Sequence, residues 1–383
     1  TEMIRSTERI LTTHTGSLPR PDDLIKLMFA KEEGNPVDKE NLKARVALAV
    51  SEIVLKQIEA GIDIVSDGEV SKPSYATYIK DRLNGFGGES VSLKYQDLVE
   101  FPSMAQRVFN DPGRSRRKTP GCNDEITVND KQAVLDDVLN LQNAIVNNEA
   151  NSSFISAASP GVISLFFSNT HYPDFEAYIF AVADAMKYEY EAITNSGIGL
   201  QIDCPDLAMG RHIQYAALDT ANFQKQAEMH VSALNHALQN INPDLVRLHL
   251  CWGNYEGPHH CDVPLSDIID IAFKAHVSGI SFEAANPRHA HEYTIFDEVS
   301  VPDHLVLIPG VIESKSNFIE HPELIAQRIE RMAKRIGREQ LIAGSDCGFG
   351  TWVGQAAVEP EIVWAKLAAL AEGARIASEK LWK

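Results

Sequence analysis

Residues 244–253 have the sequence DLVRLHLCWG, in which a short apolar, β-rich run gives way to polar and small residues. This composition predicts a buried strand that ends near Cys251. The next run of the same kind, GISFEAANP, begins at Gly279, and the residues between the two runs have a helical pattern. A strand, a helix and a second strand in this order predict two parallel strands joined by a crossover.

The same unit recurs along the whole chain. The eight runs begin near Ile10, Ile62, Ser153, Ile198, Asp244, Gly279, His304 and Leu341. Most of the steps between them are long enough for a crossover helix, and eight such units predict a parallel sheet that closes into a (β/α)8 TIM barrel. A doubly wound open sheet is the alternative, but no Gly-x-Gly-x-x-Gly motif follows the first strand.

Helical periodicity is clearest in three of the intervening segments. Apolar residues between Leu42 and Ile58 share one face of a helix that we expect to end at Gly61. Ser266 is expected to cap a helix that starts at Asp267. The segment 322–336 is amphipathic and is followed by a glycine, which is typical of a helix C-terminus.

The longest step separates the second and third predicted strands, and we interpret residues 84–150, approximately, as an insertion into a single catalytic barrel that spans residues 1–383. The insertion contains the basic segment 113–121, GRSRRKTPG, which stands out in an acidic chain. We expect a solvated loop there; contact with another subunit or with an anionic ligand is the alternative.

Composition excludes several classes of protein. Of the 383 residues, 44% are hydrophobic and 23% are charged, which is typical of a globular chain, and the net charge of −18 disfavours binding to nucleic acid. Neither a membrane span nor a signal peptide is evident. The five cysteines are too few and too scattered for a disulfide framework, so we expect a cytoplasmic protein.

The predicted strand ends carry the candidate catalytic residues, because the functional groups of a parallel barrel gather at the C-terminal ends of its strands. His249 and Cys251 are two residues apart and face the same side of one strand, while Glu283 and Cys347 end two others. Two thiolates, an imidazole and a carboxylate could hold a tetrahedral zinc ion. The alternative is that the cysteines are small buried apolar residues.

A rival set of metal ligands lies close by in the sequence. It consists of His259, His260 and Cys261, with His289 and His291 further along. Adjacent side chains in a loop rarely converge on one metal ion, so we interpret this set as part of a polar lid.

Six ordered motifs resemble the catalytic half of cobalamin-independent methionine synthase. They are TTHTGSLPR from Thr12, DGE from Asp67, QIDCP from Gln201, HLC from His249, SFEAA from Ser281 and DCG from Asp346. The resemblance implies a barrel of the methionine synthase/uroporphyrinogen decarboxylase type, a role in methionine biosynthesis, and zinc held by His249, Cys251, Glu283 and Cys347.

The resemblance also implies how the substrate binds. Homocysteine would lie near His14, with its carboxylate beside Gly16 and Ser17 and its amino group held by Glu69 and Asp203. A folate or a methylcorrinoid would donate the methyl group. The number of chains in the protein is left open, and an assembly of several copies is compatible with the sequence.

Three positions depart from the family pattern. Cys204 replaces a glutamate, Phe167 stands where a tryptophan is associated with folate stacking, and Lys315 aligns with the histidine thought to protonate the leaving folate. We therefore predict that Lys315 is the candidate catalytic acid and that methyltetrahydrofolate is a poor donor.

Three functions remain open from the sequence. The first is zinc-dependent methyl transfer to homocysteine, and the second is a related zinc thiol alkyltransferase such as an epoxyalkane–coenzyme M transferase. The third is a non-catalytic barrel that binds zinc or a ligand. Glu69 and Asp203 favour a thiol with an amino group, whereas Arg20 and Lys72, which lie beside the same motifs, would suit a sulfonate.

Overall fold

A computed structural model describes residues 3–148, 150, 152–355 and 357–383. Eight parallel strands form one sheet in the order β1-β10-β9-β8-β7-β6-β5-β2, and two further strands, β3 and β4, form an antiparallel hairpin. The strands are β1 (Leu11–Thr12), β2 (Ile64–Ser66), β3 (Leu83–Gly87), β4 (Gly121–Val128), β5 (Ser152–Ala158), β6 (Gly199–Asp203), β7 (Val246–Leu250), β8 (Gly279–Phe282), β9 (Val306–Ile312) and β10 (Ile342–Ser345).

The sheet closes between β1 and β2. The backbone nitrogen of Asp63 donates to the carbonyl of Thr12 at 3.2 Å, and the Thr13 hydroxyl donates to the carbonyl of Ile64 at 3.1 Å. The Asp63 carboxylate also accepts from the backbone nitrogen of Thr12 at 2.9 Å. The prediction of a (β/α)8 barrel is therefore confirmed, with a strand at each of the eight predicted places.

The helices alternate with the barrel strands. They are α1 (Asp22–Glu32), α2 (Lys39–Glu59), α3 (Gln96–Val99), α4 (Pro102–Phe109), α5 (Pro112–Arg116), α6 (Gln132–Asn148), α7 (Pro160–Phe166), α8 (Phe175–Asn195), α9 (Gly210–Ile213), α10 (Thr220–Leu238), α11 (Ile269–Ala272), α12 (Pro322–Ile336) and α13 (Pro360–Leu381). The predictions for α2 and α12 are confirmed. Gly337 ends α12 at φ +89°, a conformation that favours glycine.

The helix expected after Ser266 is wrong in its start and its length. Ser266 lies inside a 3-10 turn, Leu265–Asp267, and α11 begins only at Ile269. Ile269, Ile271 and Ala272 are buried and Asp270 is exposed, so α11 has one buried face but is a single turn rather than the longer helix that the sequence predicts.

The long step between β2 and β5 contains both extra structure and a regular barrel helix. The hairpin β3–β4 and the short helices α3, α4 and α5 are additional to the strand–helix alternation. By contrast, α6 packs against α2 and α8, as the crossover helix at that place should. The interpretation of the chain as one catalytic domain stays a prediction. Within the described ranges, no helix is long and apolar enough to cross a membrane.

We predict that Asp63→Ala lowers the thermal and urea stability of the protein, because Asp63 bonds to the backbone of β1 at the seam of the barrel. Loss of the partly buried carboxylate leaves the Thr12 nitrogen without that acceptor, which costs about 1–3 kcal/mol. The control is Asp23→Ala, which removes a surface carboxylate that accepts two hydrogen bonds from Arg45, just as Asp63 accepts two from Arg9. Denaturation curves in which both variants lose equal stability would contradict the role given to Asp63.

Candidate active site

A cavity of about 570 Å³ lies at the C-terminal ends of the barrel strands. Its wall includes His249, Cys251 and Cys347 together with Glu69 and Asp203. His249 lies in β7 and Asp203 ends β6, whereas Cys251, Cys347 and Glu69 follow β7, β10 and β2, so the barrel brings together groups that are far apart in the sequence. This is the end of a parallel barrel at which catalytic groups are found.

His249, Cys251 and Cys347 form a cluster, which we call the thiol–imidazole cluster. The sulfurs of Cys251 and Cys347 are 2.9 Å apart, and the Cys347 sulfur is 3.9 Å from His249 Nε2. The candidate ligand atoms of the three residues all lie within 4.8 Å of one another. On its other side, His249 Nδ1 lies 2.8 Å from Ser281 Oγ, which leaves Nε2 to face the sulfurs.

Burial favours the uncharged forms of His249 and Cys347. Burial lowers the pKa of His249 to about 3. The charge of Glu283 opposes this shift, and the charge of Arg247 adds to it. Burial also raises the pKa of Cys347 well above its usual range, together with the adjacent Cys251.

A neutral imidazole and two thiols are the donor set that zinc prefers, and a bound zinc ion deprotonates its thiols. Sulfurs bound to one tetrahedral zinc at about 2.3 Å lie about 3.8 Å apart. The sulfurs of Cys251 and Cys347 would therefore separate by about 1 Å to hold it, and the cluster fits the ion.

Glu283, the fourth predicted ligand, is next to the cluster but bonded elsewhere. One of its oxygens accepts from Lys315 Nζ at 2.7 Å, and the other accepts from the backbone nitrogen of Trp252 at 2.8 Å. The structure therefore brings together three of the four predicted ligands. Glu283 still acts on His249 and Cys347 through its charge.

Lys315 is placed differently from what a catalytic acid needs. Burial favours its neutral form, but the pKa of Lys315 is raised above its usual range, chiefly by the charge of Glu283. The ammonium is thus held as half of an ion pair, and Lys315 is not among the residues that line the cavity. In this arrangement it positions Glu283.

Glu69 and Asp203 meet at the cavity wall as two buried carboxylates. One Glu69 oxygen accepts from the Ser156 hydroxyl, whereas Oε2 is buried with no hydrogen-bond partner. Asp203 Oδ1 accepts from Gln201 Nε2 at 2.8 Å. Burial raises the pKa of both groups, and the charge of Glu69 raises that of Asp203 further. A cation bound between them would stabilise both charges.

The other predicted substrate contacts divide into two groups. Ser17 lines the cavity, and Gly16 packs so closely on Glu69 that a Cβ atom would lie 2.9 Å from its oxygen. His14 is buried behind them, where its Nε2 lies 2.6 Å from Gln57 Oε1 and its Nδ1 accepts from the Gly16 nitrogen. His14 therefore shapes the Gly16 turn and does not reach the cavity.

Arg20 and Lys72 are also occupied within the fold. The Arg20 guanidinium donates to the carbonyls of Gly350, Glu69 and Lys72, and Lys72 Nζ donates to the carbonyl of Ser156. Neither lines the cavity. Arg20 and Lys72, the two residues that the sequence offers for binding a sulfonate substrate, therefore do not face the site.

The aromatic wall of the cavity differs from the prediction by one residue. Phe167 is buried against Phe86, with ring centroids 4.8 Å apart, and Phe166 faces the cavity instead. Sequence reasoning also missed Tyr75, Tyr95 and Trp352, which complete this wall. Cys204, the other departure from the family pattern, is buried in the core.

The rival histidines converge on a carboxylate that was not predicted. Asp262 lies 3.1 Å from His259 Nδ1 and 2.8 Å from His289 Nε2. Hydrogen bonds with His212, His259 and His289 outweigh burial and hold the pKa of Asp262 well below its usual range. Asp262 and Glu292 likewise outweigh burial and raise the pKa of His289 to about 9. His260 is at the surface near Glu100, so the rival set does not converge on one point. His259 and His289 belong instead to a buried charge network around Asp262.

A closed parallel barrel with two thiols, an imidazole and two carboxylates at its catalytic end defines a (β/α)8 enzyme. The model of the family described as "Cobalamin-independent synthase, Catalytic domain" matches residues 166–368, and the chain belongs to this family. The family resemblance seen in the sequence motifs is thereby confirmed, and the protein is an enzyme of the transferase class.

Similar proteins cover the chain almost from end to end. A methionine synthase from Saccharolobus solfataricus is 23% identical over 374 residues, which are 97% of this chain and 95% of that protein. One from Pyrococcus furiosus is 24% identical over 339 residues, 88% of this chain and 86% of that protein.

Two solved structures share the fold. A B12-independent methionine synthase from Shewanella sp. W3-18-1, in complex with selenomethionine, superposes with a TM-score of 0.75 at 18% identity, covering 97% of this chain and 99% of that one. A putative vitamin-B12 independent methionine synthase from Listeria monocytogenes superposes with a TM-score of 0.65 at 19% identity, covering 96% and 98%.

We predict that Asp203→Asn stabilises the protein without substrate at alkaline pH. A raised carboxyl pKa contributes stability that is complete below the unfolded-state pKa and is lost as pH rises through the folded-state pKa. The amide cannot lose a proton and escapes that loss. The difference in melting temperature between the variant and the wild type should be near zero at about pH 4 and reach about 2 °C or more at pH 8. A variant that is less stable than the wild type at pH 8 would contradict this account.

Proposed function

We propose that this protein transfers a methyl group to the sulfur of homocysteine, with a zinc ion held by His249, Cys251 and Cys347. The observation that carries the proposal is the pair of buried carboxylates, Glu69 and Asp203, in the same cavity as the thiol–imidazole cluster. The pair offers the unpartnered oxygen Glu69 Oε2 to a cation. An amino-acid thiol presents both groups that such a cavity would select, an ammonium and a sulfur.

Zinc would supply one property, a substrate sulfur that stays a thiolate at neutral pH although free thiols have a pKa of about 8.5. The ligand set supports thiol alkylation over hydrolysis. A zinc ion with two thiolate ligands is a weaker Lewis acid than one with the nitrogen and oxygen ligands of hydrolytic sites. Because Lys315 neutralises Glu283, the two cysteine thiolates would balance the charge of the zinc ion. The thiolate of the substrate would then make the net charge of the site negative. A site of that charge keeps the sulfur nucleophilic.

The residues of this chain would orient the reaction. Glu69 and Asp203 would bind the ammonium and fix the amino acid at one end, and Ser17, which lines the same cavity, would bind its carboxylate. His249 is held in place by Ser281, and the Lys315–Glu283 pair holds the segment that follows Cys251 through the Trp252 nitrogen. Fixing both ends of the thiol substrate leaves its sulfur facing the remainder of the cavity, where the donor would approach.

The pairing of Lys315 bears on the donor. A leaving folate nitrogen needs a proton, and an ammonium with a raised pKa is a poor source of one. A methylcorrinoid leaves without needing a proton, and an epoxide needs only water or a hydroxyl nearby. We therefore favour a methylcorrinoid over methyltetrahydrofolate as the methyl donor, since an epoxide would alkylate the sulfur without transferring a methyl group.

We expect about one zinc ion per chain in the purified protein, and Cys251→Ser and Cys347→Ser should each lose most of it, because both sulfurs belong to the cluster. The matched control is Cys261→Ser, a cysteine outside the cluster, which should keep its zinc. Metal analysis of the three variants tests the site. Full zinc content in both cluster variants would remove the cluster from the proposal.

Asp203→Asn should weaken homocysteine binding at least about tenfold, since a charge-assisted hydrogen bond contributes roughly 1.5–3 kcal/mol. The matched ligand is 4-mercaptobutanoate, which is homocysteine without its amino group and should bind both proteins almost equally. Calorimetric titrations of the two thiols into the two proteins measure the difference. Equal weakening of both ligands would mean that Asp203 acts through the fold and does not recognise the amino group.

A further inference from the structure

The basic segment 113–121 of the insertion reaches the candidate active site. Arg114 and Arg117 line the active-site cavity, and they also line an adjoining cavity of about 710 Å³. The second cavity includes Ser90, Leu93 and Thr119 but neither the cluster cysteines nor the two carboxylates. The two arginines therefore stand where the two cavities meet. The expectation of a solvated loop is wrong for this part of the segment.

The segment is fixed in place against the loop that follows Cys347. Asp111 caps α5 by accepting from the Gly113 nitrogen at 3.0 Å, and the same oxygen accepts from Trp352 Nε1 at 2.6 Å. Gly113 is pressed so closely against Trp352 that a Cβ atom would lie 2.0 Å from its ring. The arginines are thus carried by a segment that packs directly over the cavity.

Neither guanidinium has a carboxylate partner among the ion pairs of the described residues. Arg114 donates to the Tyr95 hydroxyl at 3.2 Å and lies 4.3 Å from the centre of the Trp352 ring. Arg117 lies 5.1 Å from the centre of the Phe166 ring, and its Nε is buried with no hydrogen-bond partner. The nearby Glu32 carboxylate is already bound by Lys80 and by the Lys118 nitrogen.

Two unpaired guanidiniums are unexpected in a chain with a net charge of −18. Burial and the charge of Arg114 lower the pKa of Arg117 by more than Tyr95, Tyr75 and Glu32 raise it. Arg116, between them, behaves as a surface arginine should: it is exposed, 3.6 Å from Glu33 and 4.6 Å from the centre of the Phe29 ring. The difference lies in the direction of the side chain, since all three residues share one short segment.

We propose that Arg114 and Arg117 bind an anionic group of the alkyl donor, a carboxylate, sulfonate or phosphate carried on a flat apolar body. The guanidinium forks supply hydrogen bonds to the anion, and the rings of Tyr95, Phe166 and Trp352 supply apolar faces for the body. This inference rests on the proposed function, because it assigns the amino-acid thiol to the carboxylates and the anion to the arginines. The cavity would then sort its two substrates by charge.

The test uses matched probes that do not react. Biphenyl-4-carboxylate and biphenyl-4-sulfonate are titrated calorimetrically into the full-length protein in saturating L-methionine, with neutral biphenyl-4-carboxamide as the reference. The anions should bind the wild type at least about tenfold more tightly than the carboxamide. Arg114→Gln and Arg117→Gln should each remove most of that preference, and Arg117→Lys should restore part of it. Arg116→Gln should change nothing.

Several results would overturn the proposal. They are equal binding of the anions and the carboxamide by the wild type, an equal loss in Arg116→Gln, and displacement of the probe by methionine. Weaker methionine binding in Arg114→Gln or Arg117→Gln would also overturn it, because the arginines would then hold the amino acid. Unchanged methionine binding shows that each variant is folded. The probes need neither zinc nor a thiol in order to bind. A protein that contains no zinc and still binds the anions would therefore contradict the proposed function but not this inference.

Discussion

One buried carboxylate holds together the part of the barrel on which the site depends. Asp346, at the end of β10, accepts hydrogen bonds from the backbone nitrogens of residues 284, 285 and 286 at 2.8, 2.9 and 2.9 Å. Residues 284–286 follow β8, and β9 lies between β8 and β10. In β9, Gly310 is so close to Asp346 that a Cβ atom there would lie 2.0 Å from the Asp346 oxygen. The neighbouring residues, Cys347 and Glu283, are thereby held on one side of the cavity, although burial raises the Asp346 pKa to about 7.

The carboxylates Glu69 and Asp203 in the cavity wall have less local compensation. Asp346 satisfies its oxygens with backbone donors, whereas Glu69 keeps one buried oxygen without a partner and raises the pKa of Asp203 beside it. Two such carboxylates destabilise the protein without substrate, because each is removed from water and repels the other. A cation that binds there recovers that free energy. The free energy recovered on binding is a usual reason for a catalytic cavity to contain destabilised polar groups such as these two carboxylates.

The insertion and the loop after β10 complete the cavity from above. Trp352 connects them, since it donates to Asp111 and supports the Arg114 guanidinium. The thiol–imidazole cluster, the carboxylates and the arginines therefore belong to different elements that meet at one place. The floor of the cavity comes from the barrel strands, and its cationic rim comes from residues outside the strand–helix alternation.

The sequence by itself determined the barrel, because each strand is an apolar run with a local signature and the lengths between runs leave few other topologies. It also placed His249, Cys251 and Cys347 at strand ends, where a parallel barrel brings them together. Only the tertiary structure decided the partners of the charged groups. Glu283 pairs with Lys315, Arg20 bonds to three carbonyls, and Arg114 and Arg117 turn inward while Arg116 does not. These choices depend on contacts between residues distant in the chain and on burial, which no local pattern records.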